Sequence, residues 1–186
     1  MKSIFGQTFA EKTSDENQWL RTALQLLACL KLIGIKSDAE WTRLIEEITS
    51  KTRKSELLSP GNYQSVHMML AAFVIENLFK YHLVRNNKHT IYKEALKNSK
   101  LPELLNGHDL IKLAESAGYE LISYEERLLK RLYVNSTWIG RYPTPITAKT
   151  YLEREDDVYW SSSDTREVKD LIDKIIRFID PDFESL

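Results

Sequence analysis

The sequence predicts an all-α protein, an up-and-down bundle of five or six helices with one long irregular loop. Helix-start signals recur along the chain, with a Ser, Thr or Asp three residues before a Glu, and apolar residues follow them at helical spacing. Only 6 Gly and 5 Pro occur in 186 residues, so the chain lacks the turn residues of an all-β fold. With 42% hydrophobic residues it can bury one core, and we expect a single domain over residues 1–186.

Two helices are predicted in the first 61 residues. Thr13 lies three residues before a Glu and opens the first helix, which we expect to end near Gly34. Ser37 repeats the same capping pattern and opens the second helix, which we expect to end at a Pro-Gly pair. Residues 1–61 therefore form an N-terminal helical pair. The single Cys29 lies in an apolar run of the first helix, so we expect a small core residue.

The third predicted helix begins at residue 62 and ends at about residue 87. It contains eight consecutive apolar residues, from Met68 to Ile75. A helix at the surface shows an apolar stripe, whereas an unbroken run indicates contact with neighbours on every side. We therefore expect this helix at the centre of the bundle.

The C-terminal half begins with the most basic segment of the chain, residues 86–106, which we expect to be less regular. Next comes a short helix that ends at Gly118, and a capping pattern at Ser123 opens another. Residues 146–163 form the predicted long loop. Asp164 then opens a last helix whose leucine and isoleucines follow one stripe.

The segment WIGRYPTP, residues 138–145, breaks the helical pattern. Its two prolines lack backbone donors and disfavour the α conformation of the residues before them. Arg141 and Tyr142 therefore project from a non-helical backbone. A guanidinium held in this way suits a carboxylate, a phosphate or helix-end carbonyls, and it equally suits a structural anchor onto the bundle.

Composition limits the function classes. The net charge of −1 gives no global basic field of the kind that non-specific nucleic-acid binders use, although the basic segment leaves a local site open. One cysteine excludes a disulfide framework and a cysteine-based zinc site. The N-terminal residues lack a signal-peptide core and no run of 18 apolar residues occurs, so we expect a cytoplasmic protein without membrane contact. Common catalytic and phosphate-binding motifs are missing and the four histidines show no metal-ligand spacing, so we expect neither metal nor cofactor.

Glu76 and Lys80 form the first candidate site. They lie four residues apart, directly after the apolar run, in the orientation that favours a pair on one helix face. An exposed pair of this kind is ordinary. A buried pair must satisfy both charges, because their desolvation is costly, and it would indicate a functional pocket.

His108 and Asp109 form the second candidate site, at the start of the short helix that ends at Gly118. Asp109 interacts favourably with the positive end of the helix dipole. His108 either caps the helix or projects into a cleft.

Taken in order, these features resemble the HEPN superfamily, named for higher eukaryotes and prokaryotes nucleotide-binding. The first is AAFVIENLFK, with Glu76 and Lys80; the second is His-Asp-Leu at 108–110; the third is Arg-Tyr-Pro at 141–143, before a final amphipathic helix. The resemblance covers residues 62–180, with insertions at 86–106 and 146–163.

The resemblance implies a helical bundle, commonly dimeric, found in phage defence and toxin–antitoxin systems and often partnered with a nucleotidyltransferase. Many members are metal-independent ribonucleases in which an Arg and a His, separated by four to six residues, act at the RNA phosphate. This chain has no such pair. Arg85 and His89 are too close together, and no histidine follows His108.

We therefore expect a non-catalytic binding module for a nucleotide, an RNA or a protein partner. The residues that would bind the ligand are Glu76, Lys80, His108, Asp109, Arg141 and Tyr142. Two alternatives stay open: a metal-independent ribonuclease toxin that uses His108 and Arg141, and a helical protein–protein adaptor with a vestigial pocket.

Overall fold

The computed structural model describes residues 4–50, 61–141, 149, 159 and 161–182. These ranges contain six α-helices and no strand, which confirms the predicted all-α bundle. A 3-10 turn at Glu103–Leu105 precedes the fourth helix and a π-helical turn at Asn135–Ile139 follows the fifth. The helices are α1 (Ile4–Thr13), α2 (Glu16–Thr49), α3 (Gly61–Asn98), α4 (Leu110–Ala117), α5 (Ser123–Val134) and α6 (Asp164–Ile179).

Helix α3 is the centre of the bundle, as the unbroken apolar run predicts, and it contacts each of the other five helices. Its run and the following turn supply seven buried side chains to the core: Met68, Ala71, Ala72, Val74, Ile75, Leu78 and Phe79. Helix α2 runs antiparallel to α3, because Trp19 lies over Lys80 while Ser37 hydrogen-bonds to Gln64. In the described ranges, no helix has the length and apolar character required to cross a membrane.

The predicted break at Gly34 is wrong, because α2 continues through it to Thr49 and joins two predicted helices into one. A Cβ added at Gly34 would lie 3.2 Å from Cγ2 of Thr165 and 3.5 Å from Nε2 of His67. This glycine therefore allows α3 and α6 to approach α2 closely, and it does not end a helix. Ser37 is likewise no cap, since its buried hydroxyl donates to Oε1 of Gln64.

The start of α2 also differs from the prediction. Asp15 is the N-cap, and its carboxylate accepts a hydrogen bond from the amide of Asn17 at 3.1 Å. Thr13 instead ends α1, a helix that the sequence pattern did not predict. The expectation of a buried Cys29 is wrong as well: this thiol is exposed, because the buried stripe of α2 follows Ala23 and Leu30.

Helix α3 extends beyond its predicted end near residue 87. Asn87 has non-helical dihedral angles, φ −126° and ψ 21°, and its side chain donates to the carbonyl of Leu83. The helix bends at this residue and continues to Asn98, so the first part of the basic segment is helical. Ser99, with φ 51°, ends it.

The predicted boundaries of α4 and the predicted start of α6 are correct. Asp109 caps α4, and Gly118 ends it in the left-handed region with φ 75°. Helix α5 begins at Ser123 as predicted. The amide of Ile122 donates a hydrogen bond to the carboxylate of Glu125 at 3.4 Å, so the cap lies one residue before the predicted capping pattern. Most of the predicted loop at residues 146–163 lies outside the described residues.

Candidate functional site

Glu76 lies at the centre of a charged cluster that includes three residues named from the sequence. Its Oε1 accepts a hydrogen bond from Nζ of Lys80 at 2.7 Å, and its Oε2 lies 2.9 Å from Nδ1 of His108. Glu76 is 7% exposed and Lys80 is 3% exposed. The fold therefore joins the first candidate site to the second, and we call these three residues the Glu76 cluster.

Lys80 is covered by residues at the junction between α1 and α2. The ammonium lies 5.5 Å from the ring centroid of Trp19, near the start of α2. The indole N–H of Trp19 donates to the carbonyl of Thr13 at 3.1 Å, which holds the ring in place. A buried ammonium needs a counter-charge and hydrogen bonds, and Glu76 supplies both, with a cation–π contact added by Trp19.

His108 is the exposed member of the cluster, with 67% of its side chain accessible to solvent. It precedes α4, whose start is fixed by Asp109, since Oδ1 of Asp109 accepts from the amides of Ile111 at 3.2 Å and Lys112 at 3.3 Å. Glu76 holds the Nδ1 side of the imidazole. The ring thus presents its Nε2 side outward, where it can donate to an anion when protonated or accept a proton when neutral.

The backbone just before Arg141 packs against α3, further toward the N-terminus of that helix than Glu76. Arg141 follows Gly140, where an added Cβ would lie only 2.6 Å from Cβ of Met69. Met69 and Glu76 are seven residues apart, which places them on one side of the helix and about 10 Å apart along its axis. The backbone before the exposed Arg141 therefore meets α3 about two helical turns from Glu76, and Tyr142 lies outside the described residues.

The structure also contains a buried ion pair between α5 and α6, which the sequence motifs did not indicate. Nη2 of Arg131 donates to both carboxylate oxygens of Asp164, at 2.7 and 2.8 Å. Gln64 donates a hydrogen bond to the same carboxylate at 2.8 Å, and it accepts one from the hydroxyl of Ser37. We call these four residues the Asp164 cluster. One feature of the sequence could have indicated this ion pair. Arg131 lies on the apolar stripe of α5, three residues after Leu128, and a charge on a buried stripe needs a partner.

The Asp164 cluster holds four helices together. Ser37 belongs to α2, Gln64 to α3, Arg131 to α5 and Asp164 to α6. The guanidinium of Arg131 also lies 3.9 Å from the ring centroid of Tyr159 and donates to its carbonyl at 2.9 Å. All four side chains are buried, with exposed fractions of 3% or less, so the role of this cluster is structural.

A cleft of about 750 Å³ opens between α2 and α6, and we call it the α2–α6 cleft. His67 of α3 lies on its floor and is 2% exposed. Burial lowers the pKa of His67, and the negative charges of Asp38 and Asp164 only partly oppose this effect. No motif in the sequence indicates this cleft, because its walls come from helices that are distant in the chain.

The described residues hold no group of three His, Cys, Asp or Glu side chains arranged to bind a metal ion. No protein-family model, curated protein or solved structure matches this chain.

Proposed function

We propose that this chain is a HEPN-like helical binding module that holds a phosphate group of a nucleotide or an RNA over one face of α3. The Glu76 cluster carries the proposal. A buried Glu–Lys pair at the helix centre orients an exposed histidine, with Nδ1 of His108 2.9 Å from Glu76. The backbone that leads into Arg141 packs against the same side of α3, at Met69.

The chemistry of these groups suits a phosphate. Glu76 neutralises Lys80, so protonation of His108 gives the cluster a net positive charge. An imidazolium and a guanidinium both donate charge-assisted hydrogen bonds to phosphate oxygens, and a guanidinium can donate two at once.

The wider context of the proposal rests on the resemblance in residues 62–180. It comprises a homodimer, a nucleotidyltransferase as partner protein, and a role in toxin–antitoxin or phage-defence systems in the cytoplasm. Sedimentation at several protein concentrations tests the dimer, and co-purification with the product of a neighbouring nucleotidyltransferase gene tests the partner.

Binding of a labelled RNA oligonucleotide, of ATP and of GTP tests the proposal directly. We expect His108→Ala and Arg141→Ala each to weaken binding by about tenfold or more, since each removes a charge-assisted hydrogen bond. His89→Ala is the matched control, because His89 is an exposed histidine outside the cluster and this change should leave affinity unaltered. Fluorescence anisotropy and calorimetry measure these effects. Equal affinity of the His108 and His89 variants contradicts the assignment of the site, and no binding of any of the three probes favours the adaptor.

A metal-independent ribonuclease is the second candidate, and the contact between Glu76 and His108 favours it. A histidine whose Nδ1 is held by a carboxylate can accept the proton of an RNA 2′-hydroxyl at Nε2. The 2′-oxygen then attacks phosphorus, the bond to the 5′-oxygen breaks, and that oxygen takes a proton from water. Arg141 would stabilise the charge on the phosphate.

Cleavage of a mixed-sequence RNA in EDTA distinguishes the two candidates. If the protein is a nuclease, the wild type yields 2′,3′-cyclic phosphate ends, and His108→Ala lowers the rate by about 10²–10⁴-fold because a general base is lost. The His89→Ala variant should retain the wild-type rate. An intact RNA after incubation with the wild type removes this candidate and leaves the binding module.

A further inference from the structure

Helix α2 carries apolar side chains on its outer face as well as on its buried face. The buried face follows Ala23, Leu30 and Ser37, which are seven residues apart. On the opposite side of the helix a second row of residues is exposed, and in this row Leu32 and Ile35 are each 67% exposed. The outer face of a surface helix is normally polar, and an exposed apolar row is typical of an interaction surface.

The exposed row has the spacing of a coiled-coil seam, and we call it the α2 seam. Successive members are separated alternately by four and three positions, and all of them are exposed: Arg21, Gln25, Ala28, Leu32, Ile35, Ala39, Thr42 and Glu46. This alternation gives the period of about 3.5 residues with which two helices pack side by side. The seam is about 38 Å long. It is continuous because α2 does not end at Gly34.

The order of residues in the α2 seam is symmetric about its midpoint, which lies between Leu32 and Ile35. Outward from this point, each half contains a large aliphatic residue, an alanine, an uncharged polar residue and a charged residue. The charges at the two ends have opposite signs, since Arg21 ends one half and Glu46 ends the other. An interface between two identical copies related by a two-fold axis requires such self-complementarity, because residue i contacts j while j contacts i.

The apolar centre of the seam fits a second, antiparallel seam. Leu32 of one copy then packs against Ile35 of the other, and the two-fold axis repeats this contact. Ala28 packs against Ala39 on either side of the centre, where small side chains allow the two helices to approach closely. Every large side chain thus meets a large one and every small side chain meets a small one.

The charged ends of the seam favour the antiparallel direction over the parallel one. In the antiparallel pair, Arg21 of each copy meets Glu46 of the other, so an ion pair forms at both ends. A parallel pair in register would instead place Arg21 beside Arg21 and Glu46 beside Glu46, and like charges in contact are destabilising. Within the described part of the chain, neither Arg21 nor Glu46 already forms an ion pair.

We propose that the α2 seam is the interface of a homodimer in which two α2 helices pack antiparallel, with the two-fold axis between Leu32 and Ile35. The occupant is a second copy of this chain, because the seam complements its own reversed order in size, polarity and charge. The interface belongs to α2 and is argued from that helix alone. It therefore does not depend on the binding of a phosphate at the Glu76 cluster.

Analytical ultracentrifugation of the purified chain, from low to high micromolar concentration, tests the interface. We expect a monomer–dimer equilibrium that Leu32→Glu and Ile35→Glu each weaken by roughly a hundredfold, because a charge is placed in an apolar contact that occurs twice. Ile4→Glu is the matched control and should retain the dimer, because Ile4 is 84% exposed but belongs to α1. A monomer at every concentration overturns the proposal, and so does a dimer that Ile35→Glu leaves intact.

A charge exchange tests the direction of the helices. Arg21→Glu and Glu46→Arg should each weaken the dimer by roughly tenfold, because like charges then meet at both ends of the interface. The double variant should regain the wild-type affinity, since it restores both ion pairs with their signs exchanged. In a parallel dimer each single variant would only replace one pair of like charges by another. Equal affinity of the wild type and the single variants overturns the antiparallel arrangement.

Cysteine cross-linking tests the register. In a Cys29→Ser background, chains with Ala28→Cys and chains with Ala39→Cys should form a disulfide with each other when they are mixed, because the two positions face each other. Neither chain should cross-link alone, since the two copies of position 28 lie about 16 Å apart along the helices. Self-cross-linking of the Ala28→Cys chain indicates a parallel pair and overturns the proposal.

Two further measurements separate this interface from the function proposed above. His108→Ala should retain the dimer, and Ile35→Glu should retain the affinity of the wild type for RNA and nucleotides. A chain that binds phosphate as proposed but stays monomeric overturns only the interface. A dimer that Ile35→Glu dissociates supports the interface even where no RNA or nucleotide binds.

Discussion

At the scale of single residues, Glu76 determines the chemistry of the candidate site. One carboxylate binds two groups of opposite accessibility, a buried ammonium and an exposed imidazole. The interaction with Lys80 is local and follows from spacing along one helix. The interaction with His108 is not local, since 32 residues separate the partners.

The burial of Lys80 gives a first prediction. Glu76→Gln keeps the shape of the side chain and removes its charge, so Lys80 stays buried without a counter-charge. We expect the free energy of unfolding to fall by about 3–5 kcal/mol, which is typical when one partner of a buried pair is removed. Urea denaturation followed by circular dichroism measures this loss.

The half-exposed pair Glu126–Lys130 is the matched control, because it has the same spacing of four residues and an N–O distance of 2.7 Å. Glu126→Gln should change stability by less than about 0.5 kcal/mol, since exposed pairs contribute little. Replacing Lys80 by Met in the Glu76→Gln background should recover part of the loss. A Glu76→Gln protein as stable as the Glu126→Gln control would contradict the view that Glu76 stabilises a buried charge.

At the scale of elements, local signals predicted the ends of α4 and the start of α6 correctly. Asp109 accepts hydrogen bonds from the first-turn amides of α4, and Gly118 adopts the left-handed conformation that residues with a Cβ disfavour. Both effects depend on a few neighbouring residues, so sequence shows them. The helix boundary predicted at Gly34 and Ser37 is wrong because these two residues are used in contacts between helices. Each looks like a helix end in isolation, but packing against α3 and α6 uses the small glycine and the Ser37 hydroxyl instead.

The π-helical turn that carries Arg141 gives a second prediction. A Cβ at Gly140 would lie 2.6 Å from Cβ of Met69 and 2.8 Å from the carbonyl oxygen of Asn135, so Gly140→Ala must push the turn away from α3. We expect a loss of about 1–3 kcal/mol, as for other overpacked positions. Thermal and urea denaturation measure this loss.

Gly107→Ala is the control for this change. A Cβ at Gly107 would have no heavy atom within 4 Å, so we expect an effect within about 0.5 kcal/mol. If both alanine variants are equally stable, the close approach of the turn to α3 is wrong, and so is the position of Arg141 that depends on it.

At the scale of the whole molecule, buried polar groups connect helices that the apolar core alone would hold less specifically. The Asp164 cluster takes one residue from each of four helices. His67 lies on the same side of α3, three residues after Gln64, and the charge of Asp164 acts on it. The stability of this region should therefore respond to pH.

Burial lowers the pKa of His67, so the unfolded chain takes up a proton at a higher pH than the folded chain does. In the unfolded chain, His67 takes up its proton as the pH falls through about 6.5, the ordinary pKa of histidine. The unfolded state then binds more protons than the folded state, so the free energy of unfolding decreases as the pH falls. We expect the free energy of unfolding to fall between about pH 7.5 and pH 5. Carboxylates whose pKa is lowered, such as Glu167, titrate below this range.

Urea denaturation across this pH range tests the prediction. His67→Phe should flatten the decrease, because no group remains to be protonated at this position. The pKa of His82 is also lowered, by burial and by Arg85, so some dependence should persist. His89→Phe is the control and should retain the full slope, since His89 is exposed. Identical slopes in the two variants would show that the protonation of His67 is not linked to unfolding.

The sequence by itself determined the helical class, the central position of α3 and the local pairing of Glu76 with Lys80. Periodicity, capping residues and spacing along one helix act over a few residues, so they can be recognised without the fold. Only the tertiary structure decided that His108 meets Glu76, that Arg131 meets Asp164 and that α2 and α6 enclose a cleft around His67. These contacts join residues separated by 32 positions or more, or lie between distant helices, and they depend on how the helices pack.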